Sequence, residues 1–235
     1  MKKRIWELDA LRGLAILVMI AVHLIYDLVE LFRVWELKDP SLFYFLQDWG
    51  GVIFLVLSGI CVTLGSAPLK RGLTVFGCGL VVTAVTVGMY LLKLTGRGII
   101  IYFGVLHCLG VCMLLWPVFR KCPAWLLAVL GTVMAAGGLY LGEHVRSTSV
   151  LLIPLGIPSY GFSSSDYFPL LPNLGYFLLG GALGRTVYGK KESLLPRIND
   201  QNPVLRFLCG CGRRSLPIYL LHQPVLTAVI ALLLL

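Results

Sequence analysis

Long apolar stretches occupy most of the sequence, and each is long enough, or nearly so, to cross a membrane as a helix. A membrane-spanning helix needs roughly 17–25 mostly apolar residues. Seven stretches qualify or nearly qualify, namely Leu8–Phe32, Leu42–Leu64, Gly72–Leu92, Ile99–Phe119, Ala124–Leu141, Phe168–Tyr188 and Leu216–Leu235. The fifth is short, and the second and sixth contain polar residues or proline, so a count of about six to eight stays open. The sequence therefore predicts an all-α, polytopic transmembrane helix bundle of about seven spans.

The composition excludes a water-soluble globule. Hydrophobic residues make up 58% of the 235 residues and charged residues only 13%, whereas soluble domains usually carry about a quarter charged residues. The same values exclude a disordered or fibrous chain. The seven cysteines lie almost entirely inside apolar stretches, so we expect free thiols and not the disulfides of a small secreted domain.

The distribution of basic residues predicts the orientation in the membrane. The net charge is +9, but the Lys and Arg residues form no basic helix face, so nucleic acid is not an expected partner. With the N-terminus inside, fourteen of them fall on the cytoplasmic side and five outside. Cytoplasmic loops carry the excess of Lys and Arg, which favours a cytoplasmic N-terminus, an external C-terminus and an odd number of spans. The basic start, with Lys2, Lys3 and Arg4, predicts an uncleaved signal anchor.

Two connections between the predicted spans are long. Glu143–Tyr167 falls outside, and its apolar middle is too short and too interrupted by proline to span, so it predicts a re-entrant or interfacial lid. Gly189–Arg214 is basic and cytoplasmic, and its Pro203–Cys209 part is expected along the membrane surface. No internal repeat or linker divides the chain, so we predict one transmembrane domain over residues 1–235.

Ionisable residues inside the apolar stretches concentrate in the first one, which holds Asp9, Arg12, His23 and Asp27. Such residues are costly in a membrane and are functional candidates by default. The eleven residues from Arg12 to His23 leave the two side chains about 20° apart on one helix face and about 16 Å apart along the axis. Asp27 follows His23 by four residues, so its carboxylate can reach the imidazole one turn away. These positions predict a polar stripe from the cytoplasmic edge to the outer half of the membrane.

Structural roles are the alternatives for these residues. Asp9 and Arg12 at a helix start can serve as a cap and as an anchor at the membrane surface. A His inside a span is often a hydrogen-bonding link between helices. For His23 the neighbouring carboxylate of Asp27 favours function, because it can fix the tautomer and raise the basicity of the ring.

Further polar residues lie in other predicted spans, and for each one alone a structural role is favoured. Asp48 lies near the outer end of the second span. His107 is expected about 12 Å inward from the outer end of the fourth. Asp166 and Asn173 flank the outer entry of the sixth. Two more lie in the cytoplasmic half of the last span, namely His222 and Gln223.

Motifs of soluble nucleotide-binding enzymes and hydrolases are missing, since the sequence has no Walker loop, no GxGxxG and no GxSxG. Cys108 and Cys112 share a helix face, and Cys209 and Cys211 flank a glycine. Neither pair joins a His pair at zinc-binding spacing. No metal is therefore expected.

Five segments carry a family resemblance, and in order they read LDALRGLAILVMIAVHLIYDL, FLVLSGI, YFGVLHCLG, DYFPLLPNLG and RRSLPIYLLHQPVL. They resemble the bacterial members of the heparan-α-glucosaminide N-acetyltransferase catalytic-domain family. That family belongs to a wider set of transmembrane acyltransferases, which includes acyltransferase family 3. The spacing from Arg12 to His23 matches the Arg/Lys–ten residues–His signature of the wider set.

The resemblance implies transfer of an acyl group, usually acetyl, from cytoplasmic acyl-CoA as donor substrate to a sugar hydroxyl or amine outside. It implies that His23, with Asp27, is catalytic, either as the base or as a residue that is itself acylated. In the lysosomal enzyme of the family the key His lies in the loop after the first helix. Here the loop Arg33–Ser41 has no His, so the role is carried onto His23 from the wider set.

The other candidate residues divide into two groups under this resemblance. The donor side would meet CoA through a group formed by Arg12, Asp9, His222 and Gln223. The acceptor side would be formed by Asp48, His107, Asp166 and Asn173.

The expected partners are the lipid bilayer, acyl-CoA and a cell-envelope sugar or glycan, with a homodimer left open and the bacterial cytoplasmic membrane as the location. Two other classes of function stay open. The polar stripe could belong to a small transporter or proton-coupled carrier, with His23 and Asp27 as a relay, although the sequence shows no inverted repeat. The chain could also be a non-catalytic membrane subunit.

Overall fold

The computed structural model describes residues 5–196 and 202–234. The predicted signal-anchor residues Lys2, Lys3 and Arg4, together with Arg197 and Leu235, lie outside these ranges. Within the described ranges no strand occurs, and the α-helices are α1 (Trp6–Tyr26), α2 (Ser41–Leu64), α3 (Pro68–Leu91), α4 (Val105–Phe119), α5 (Ala124–His144), α6 (Leu170–Thr186), α7 (Pro203–Arg213) and α8 (Ser215–Leu234). A π-helical turn, Asp27–Leu31, extends α1.

Several of these helices are long and apolar enough to cross a membrane. In the described part of the chain they number five, namely Trp6–Leu31, Ser41–Leu64, Pro68–Leu91, Ala124–His144 and Ser215–Leu234. The remaining two candidates are shorter, with 15 residues in α4 and 17 in α6. The predicted all-α multi-pass bundle is confirmed, whereas the count of seven spans and the cytoplasmic N-terminus stay predictions.

The fourth predicted span is wrong at its beginning, because the α-helix starts at Val105 and not at Ile99. The main chain of Ile101 is bound by two hydroxyls of α3. Its N–H donates to Thr86 Oγ1 at 3.2 Å, and its carbonyl accepts from Thr83 Oγ1 at 2.6 Å. Phe103 forms an isolated bridge with Tyr167. These contacts hold the segment before α4 outside the helix.

The described residues group into two compact units. The first comprises the described residues within Met1–Leu57 and Lys190–Leu235, and the second comprises Ser58–Gly189. The single domain predicted over residues 1–235 stays a prediction.

In the first unit, α1 packs closely against α7 through two glycines. A Cβ added at Gly13 would collide with the carbonyl oxygen of Leu208, and one added at Gly212 would collide with the carbonyl oxygen of Asp9. Only a residue without a Cβ allows this approach. The part predicted to lie along the membrane surface is helical as α7, which begins with Pro203 behind an Asn202 cap and ends just before α8.

In the second unit, α3 packs with α4 and α5 packs with α6. A Cβ added at Gly110 would lie 2.7 Å from the Phe76 nitrogen, and one added at Gly131 would lie 2.9 Å from the Gly175 carbonyl oxygen. Small residues let helix backbones approach in membranes, where van der Waals packing and not the hydrophobic effect drives association. These glycines therefore position α4 and α6.

The long connection after α5 forms no α-helix. It contains a 3₁₀ helix, Val150–Leu155, and then continues without regular structure to α6. The Tyr167 hydroxyl donates to the carbonyl oxygen of Ile153 at 2.7 Å. Burial raises the pKa of Tyr167 to about 12, so the phenol keeps its proton and remains a donor at neutral pH. The prediction that this connection does not span as a helix is confirmed; its position as a lid stays a prediction.

Candidate functional site

The polar side chains of α1 face α8, and the two helices run in the same direction. Arg12 contacts Ser215 near the start of α8, whereas Asp27 contacts Gln223 further along it. His23 lies between these two contacts on α1 and meets His222. We call the group formed by His23, Asp27, His222 and Gln223 the α1–α8 cluster. The single polar face that the eleven-residue spacing predicts is thus present.

Two imidazole rings meet edge to face in the α1–α8 cluster. The ring centroids of His23 and His222 are 4.8 Å apart, and the ring planes are inclined by 86°. The Tyr219 ring lies 5.3 Å from that of His222. The His23 side chain is half-buried, so it retains access to a ligand.

The ring of His23 is oriented by its own helix. Its Nδ1 lies 2.9 Å from the carbonyl oxygen of Met19. Because a carbonyl oxygen can only accept, Nδ1 carries the proton, and Nε2 of the neutral ring keeps the lone pair. The ring is therefore set up to accept a proton at Nε2.

Asp27 is bound by α8 and not by His23. Its side chain is 0% exposed, and the Nε2 of Gln223 donates to its two carboxylate oxygens at 2.8 and 3.0 Å. The side chains of His23 and Asp27 interact electrostatically, but within the described residues no hydrogen bond joins them, so Asp27 does not fix the tautomer of the His23 ring as predicted. The reason is that the Met19 carbonyl binds Nδ1 one turn earlier, while an amide from another helix takes the carboxylate.

Two polar atoms of the cluster are buried without a partner in the described part of the chain. They are Nε2 of His222 and Oε1 of Gln223. The Nδ1 of His222 bonds to the carbonyl oxygen of Tyr219, so Nε2 of the neutral ring is again an acceptor. The Gln223 nitrogen faces the carboxylate of Asp27, which leaves the amide oxygen as the second acceptor. Buried polar atoms without partners are rare and call for an explanation.

The position of His222 and Gln223 differs from the sequence-based one. The sequence places them in the cytoplasmic half of the membrane and places His23 and Asp27 in the outer half. In the structure the two pairs are in contact. The predicted start of a span does not determine which residues of one helix lie beside which residues of another. For α1 and α8 this depends on how the two helices pack.

Arg12 binds the first residue of α8. Its Nη2 donates to Ser215 Oγ at 3.0 Å, whereas its Nε is buried and has no partner among the described residues. A guanidinium carries five donors in a planar fork, so most of its capacity is left for a ligand. Asp9 is half-buried one turn earlier in α1, where its carbonyl oxygen packs against Gly212.

His107 lies in the second unit and is the third residue of α4, so it is near the start of the helix and not about 12 Å along it. Its Nδ1 accepts from the Gly104 N–H at 3.2 Å, and its Nε2 lies 3.3 Å from Thr83 Oγ1. The Thr83 hydroxyl donates to the carbonyl oxygen of Ile101, so it accepts from Nε2–H. With both ring nitrogens bonded, His107 caps the start of α4.

The other residues predicted to bind the acceptor sugar either make structural contacts or lie apart from the α1–α8 cluster. Asp166 Oδ2 accepts from the Val105 N–H at 3.2 Å, beside the His107 cap. Asn173 is buried and donates to the carbonyl oxygen of Pro169 at 2.7 Å. Asp48 is exposed on α2. The structure brings His107 and Asp166 together at one helix start.

Some residues that contact the candidate site residues or their helices were not predicted from the sequence. Glu7 is buried, and its carboxylate accepts from Ser193 Oγ at 2.8 Å and from the Leu194 N–H at 2.7 Å. The hydroxyl of Ser215 binds Arg12, and the hydroxyl of Thr83 binds His107. Glu7 could have been found from the sequence, because a charged residue in the first turn of an apolar helix needs a polar partner. Isolated Ser and Thr residues do not indicate which residues they bind.

In the described part of the chain, no group of three or more His, Cys, Asp or Glu side chains could hold a metal ion. The sulfur atoms of Cys108 and Cys112 lie 4.0 Å apart, and both cysteines are buried thiols.

Comparison with known protein families gives a match over nearly the whole chain. The family model described as "Heparan-alpha-glucosaminide N-acetyltransferase, catalytic" matches residues 4–224, which is nearly the whole chain and includes the α1–α8 cluster. Comparisons with curated proteins and with solved structures gave no match.

Proposed function

The chain belongs to the heparan-alpha-glucosaminide N-acetyltransferase catalytic family and is a multi-pass membrane protein, and on that premise we propose its reaction. It moves an acetyl group from cytoplasmic acyl-CoA to a hydroxyl or amine of a sugar on the outer side of the bacterial cytoplasmic membrane. The observation that carries this proposal is the α1–α8 cluster, in which Nδ1 of His23 is bound to the Met19 carbonyl and Nε2 is left as the acceptor, about 16 Å along α1 from Arg12.

Arg12 is proposed to bind the phosphates of CoA. Its guanidinium uses one nitrogen for Ser215 Oγ and has a buried Nε without a partner among the described residues. Guanidinium groups recognise phosphate by paired, charge-assisted hydrogen bonds. Because Arg12 and His23 are about 16 Å apart along α1, a pantetheine arm that follows the helix would bring the thioester toward His23.

His23 is proposed to act as the general base. Its Nε2 takes the proton of the acceptor hydroxyl or amine as the acceptor oxygen or nitrogen attacks the thioester carbonyl carbon. The carbon–sulfur bond then breaks, and the CoA thiolate leaves and recovers the proton from the His23 imidazolium. In the alternative route, Nε2 attacks the thioester carbonyl carbon, the carbon–sulfur bond breaks and the CoA thiolate leaves. The acceptor then attacks the acetylated ring, the nitrogen–carbon bond to Nε2 breaks, and the acceptor proton passes to the CoA thiolate.

A histidine pair within this chain tests the proposal. His144 also bonds through Nδ1 to the carbonyl oxygen four residues earlier, Tyr140, but it is exposed and lies at the end of α5. Acetyl-CoA consumption with a panel of sugars is measured in nanodiscs and normalised to folded protein. His23→Ala should lower turnover by about 10²–10⁴-fold, and His144→Ala should leave it unchanged.

The same variants separate the alternatives. A His23→Ala protein with wild-type turnover, beside an inactive but folded His107→Ala protein, would move the base to α4. Intact-mass measurement after incubation with acetyl-CoA alone distinguishes the two chemical routes, because only the second leaves an acetyl group on the chain. A wild-type protein that never consumes acetyl-CoA with any sugar contradicts the proposed reaction.

A further inference from the structure

The buried polar atoms of the α1–α8 cluster that have no hydrogen-bond partner in the described part of the chain are both acceptors. Nε2 of His222 and Oε1 of Gln223 are buried without partners in the described part of the chain. Both Nδ1 atoms of the two facing imidazoles bond to carbonyl oxygens of their own helices. In neutral rings neither Nε2 can donate to the other. These two acceptors at the contact between α1 and α8 therefore have no donor among the described residues.

The absence of a hydrogen-bond donor destabilises the folded protein at this contact. A buried acceptor without a partner loses the hydrogen bond that water would give it. In the hydrocarbon region of a membrane no bulk water can replace that bond. The complementary ligand is thus a group that donates hydrogen bonds, and more than one donor is needed to satisfy both atoms.

The two substrates of the proposed reaction differ in this respect. The thioester of acyl-CoA has no donor and the CoA phosphates are acceptors only, while the pantetheine arm donates through single amide N–H groups and one hydroxyl spaced along an extended chain. A sugar carries neighbouring hydroxyl groups, or a hydroxyl beside an amine, and each of these donates. On the basis of the proposed function, we infer that His222 and Gln223 bind the hydroxyl or amine groups of the acceptor sugar and not the CoA donor.

This assignment reverses the one based on sequence, which places both residues on the donor side. It also gives each part of the cluster a task. His222 and Gln223 accept from sugar groups next to the reacting one, while the Nε2 of His23, in the ring beside that of His222, faces the proton that must be removed. Gln223 is held for this purpose by its two bonds to Asp27. A site with buried acceptors rejects analogues that lack the matching donor.

The experiment compares the two Michaelis constants of single variants of the full chain in nanodiscs. The acceptors are glucose, galactose, glucosamine and N-acetylglucosamine, and the sugar that the wild type acetylates fastest is used for the variants. His222→Phe keeps an aromatic ring against His23 but removes Nε2, and His222→Gln restores a polar group near that position. Gln223→Met removes the amide at similar length. Thr227→Val, one turn further along α8, is the control because it removes a polar group outside the cluster.

We expect His222→Phe and Gln223→Met to raise KM for the sugar by about 5- to 100-fold, with KM for acetyl-CoA unchanged. His222→Gln should recover part of the sugar affinity, and Thr227→Val should match the wild type in both constants. If His222→Phe does not fold, Gln223→Met carries the same comparison.

Three results would overturn the inference. A raised KM for acetyl-CoA with an unchanged KM for the sugar returns these residues to the donor side and leaves the proposed function intact. Unchanged values of both constants mean that water or nothing occupies the two acceptors, again without affecting the proposed function. A wild type that binds acetyl-CoA in calorimetry but acetylates none of the four sugars removes both the proposed acceptor chemistry and this inference.

Discussion

Replacing Gly212 by alanine tests whether the contact of α1 with α7 fixes the position of α8. A Cβ at Gly212 would overlap the carbonyl oxygen of Asp9 and lie 3.0 Å from the Gly13 nitrogen. Both are backbone atoms, which no rotamer change can move away, so the helices must separate. Gly210 lies on the same helix and has nothing within 4 Å of an added Cβ. Gly210→Ala is therefore the matched control.

The expected magnitude follows from the difference between the two variants. Each replaces a helical glycine by alanine and gains about 1 kcal/mol of helix propensity, which cancels in the comparison. Overpacking of a tight contact costs about 1–3 kcal/mol. Gly212→Ala should thus be less stable than Gly210→Ala by that amount, or by about 2–12 °C in apparent melting temperature for a chain of this size.

Tryptophan fluorescence on heating in one detergent measures the two variants beside the wild type. The same shift has a functional readout, because α7 leads directly into Ser215, which binds Arg12. Gly212→Ala should weaken acetyl-CoA binding in calorimetry, and Gly210→Ala should not. Equal melting temperatures for the two alanine variants would refute the close contact between α1 and α7.

Three further predictions follow from the same contacts. Arg12→Ala should weaken acetyl-CoA binding and Arg12→Lys should retain part of it; calorimetry that shows no change for Arg12→Ala removes this residue from the donor site. His107→Ala should lower stability by about 2–4 kcal/mol, because it leaves the Gly104 N–H without an acceptor and the Thr83 oxygen without the donor from the ring, while turnover per folded molecule stays near that of the wild type; an inactive but stable protein contradicts this. In a cysteine-free background, cysteines at the exposed residues Tyr160 and Leu195 should label from the outside and the inside, and labelling from one side overturns the predicted orientation.

Helix extents could be predicted because one physical property decides them. The second predicted span, Leu42–Leu64, differs from α2 by a single residue at its start. Its apolar length determines both its helical form and its need for a membrane. The start of α4 could not be found in this way, since the side chains of Thr83 and Thr86 withdraw the main chain of Ile101 from the helix. This competition for the main-chain hydrogen bonds of Ile101 comes from a neighbouring helix, so the hydropathy of the segment itself does not reveal it.

The candidate site shows the same limit. The common face of Arg12, His23 and Asp27 follows from helix geometry alone, and all three side chains contact α8. The partner of Asp27 does not follow from it. A four-residue spacing permits a bond to His23, but an amide from another helix binds the carboxylate instead. Spacing restricts which residues can meet, whereas the packing of helices decides which of them do.

Two histidines in this chain, His107 and His222, show how structural and functional roles separate. His107 is 3% exposed, and hydrogen bonds to Gly104 and Thr83 satisfy both of its ring nitrogens. His222 has one nitrogen bonded to its own helix and the other buried without a partner in the described ranges. A residue that only links helices should complete its bonds, because an unpaired acceptor destabilises the fold by about 1–3 kcal/mol. A residue that binds substrate must leave a bond open until the substrate arrives. This criterion supports the proposal that the acceptor sugar binds at the contact between α1 and α8 and that His107 at the start of α4 has a structural role.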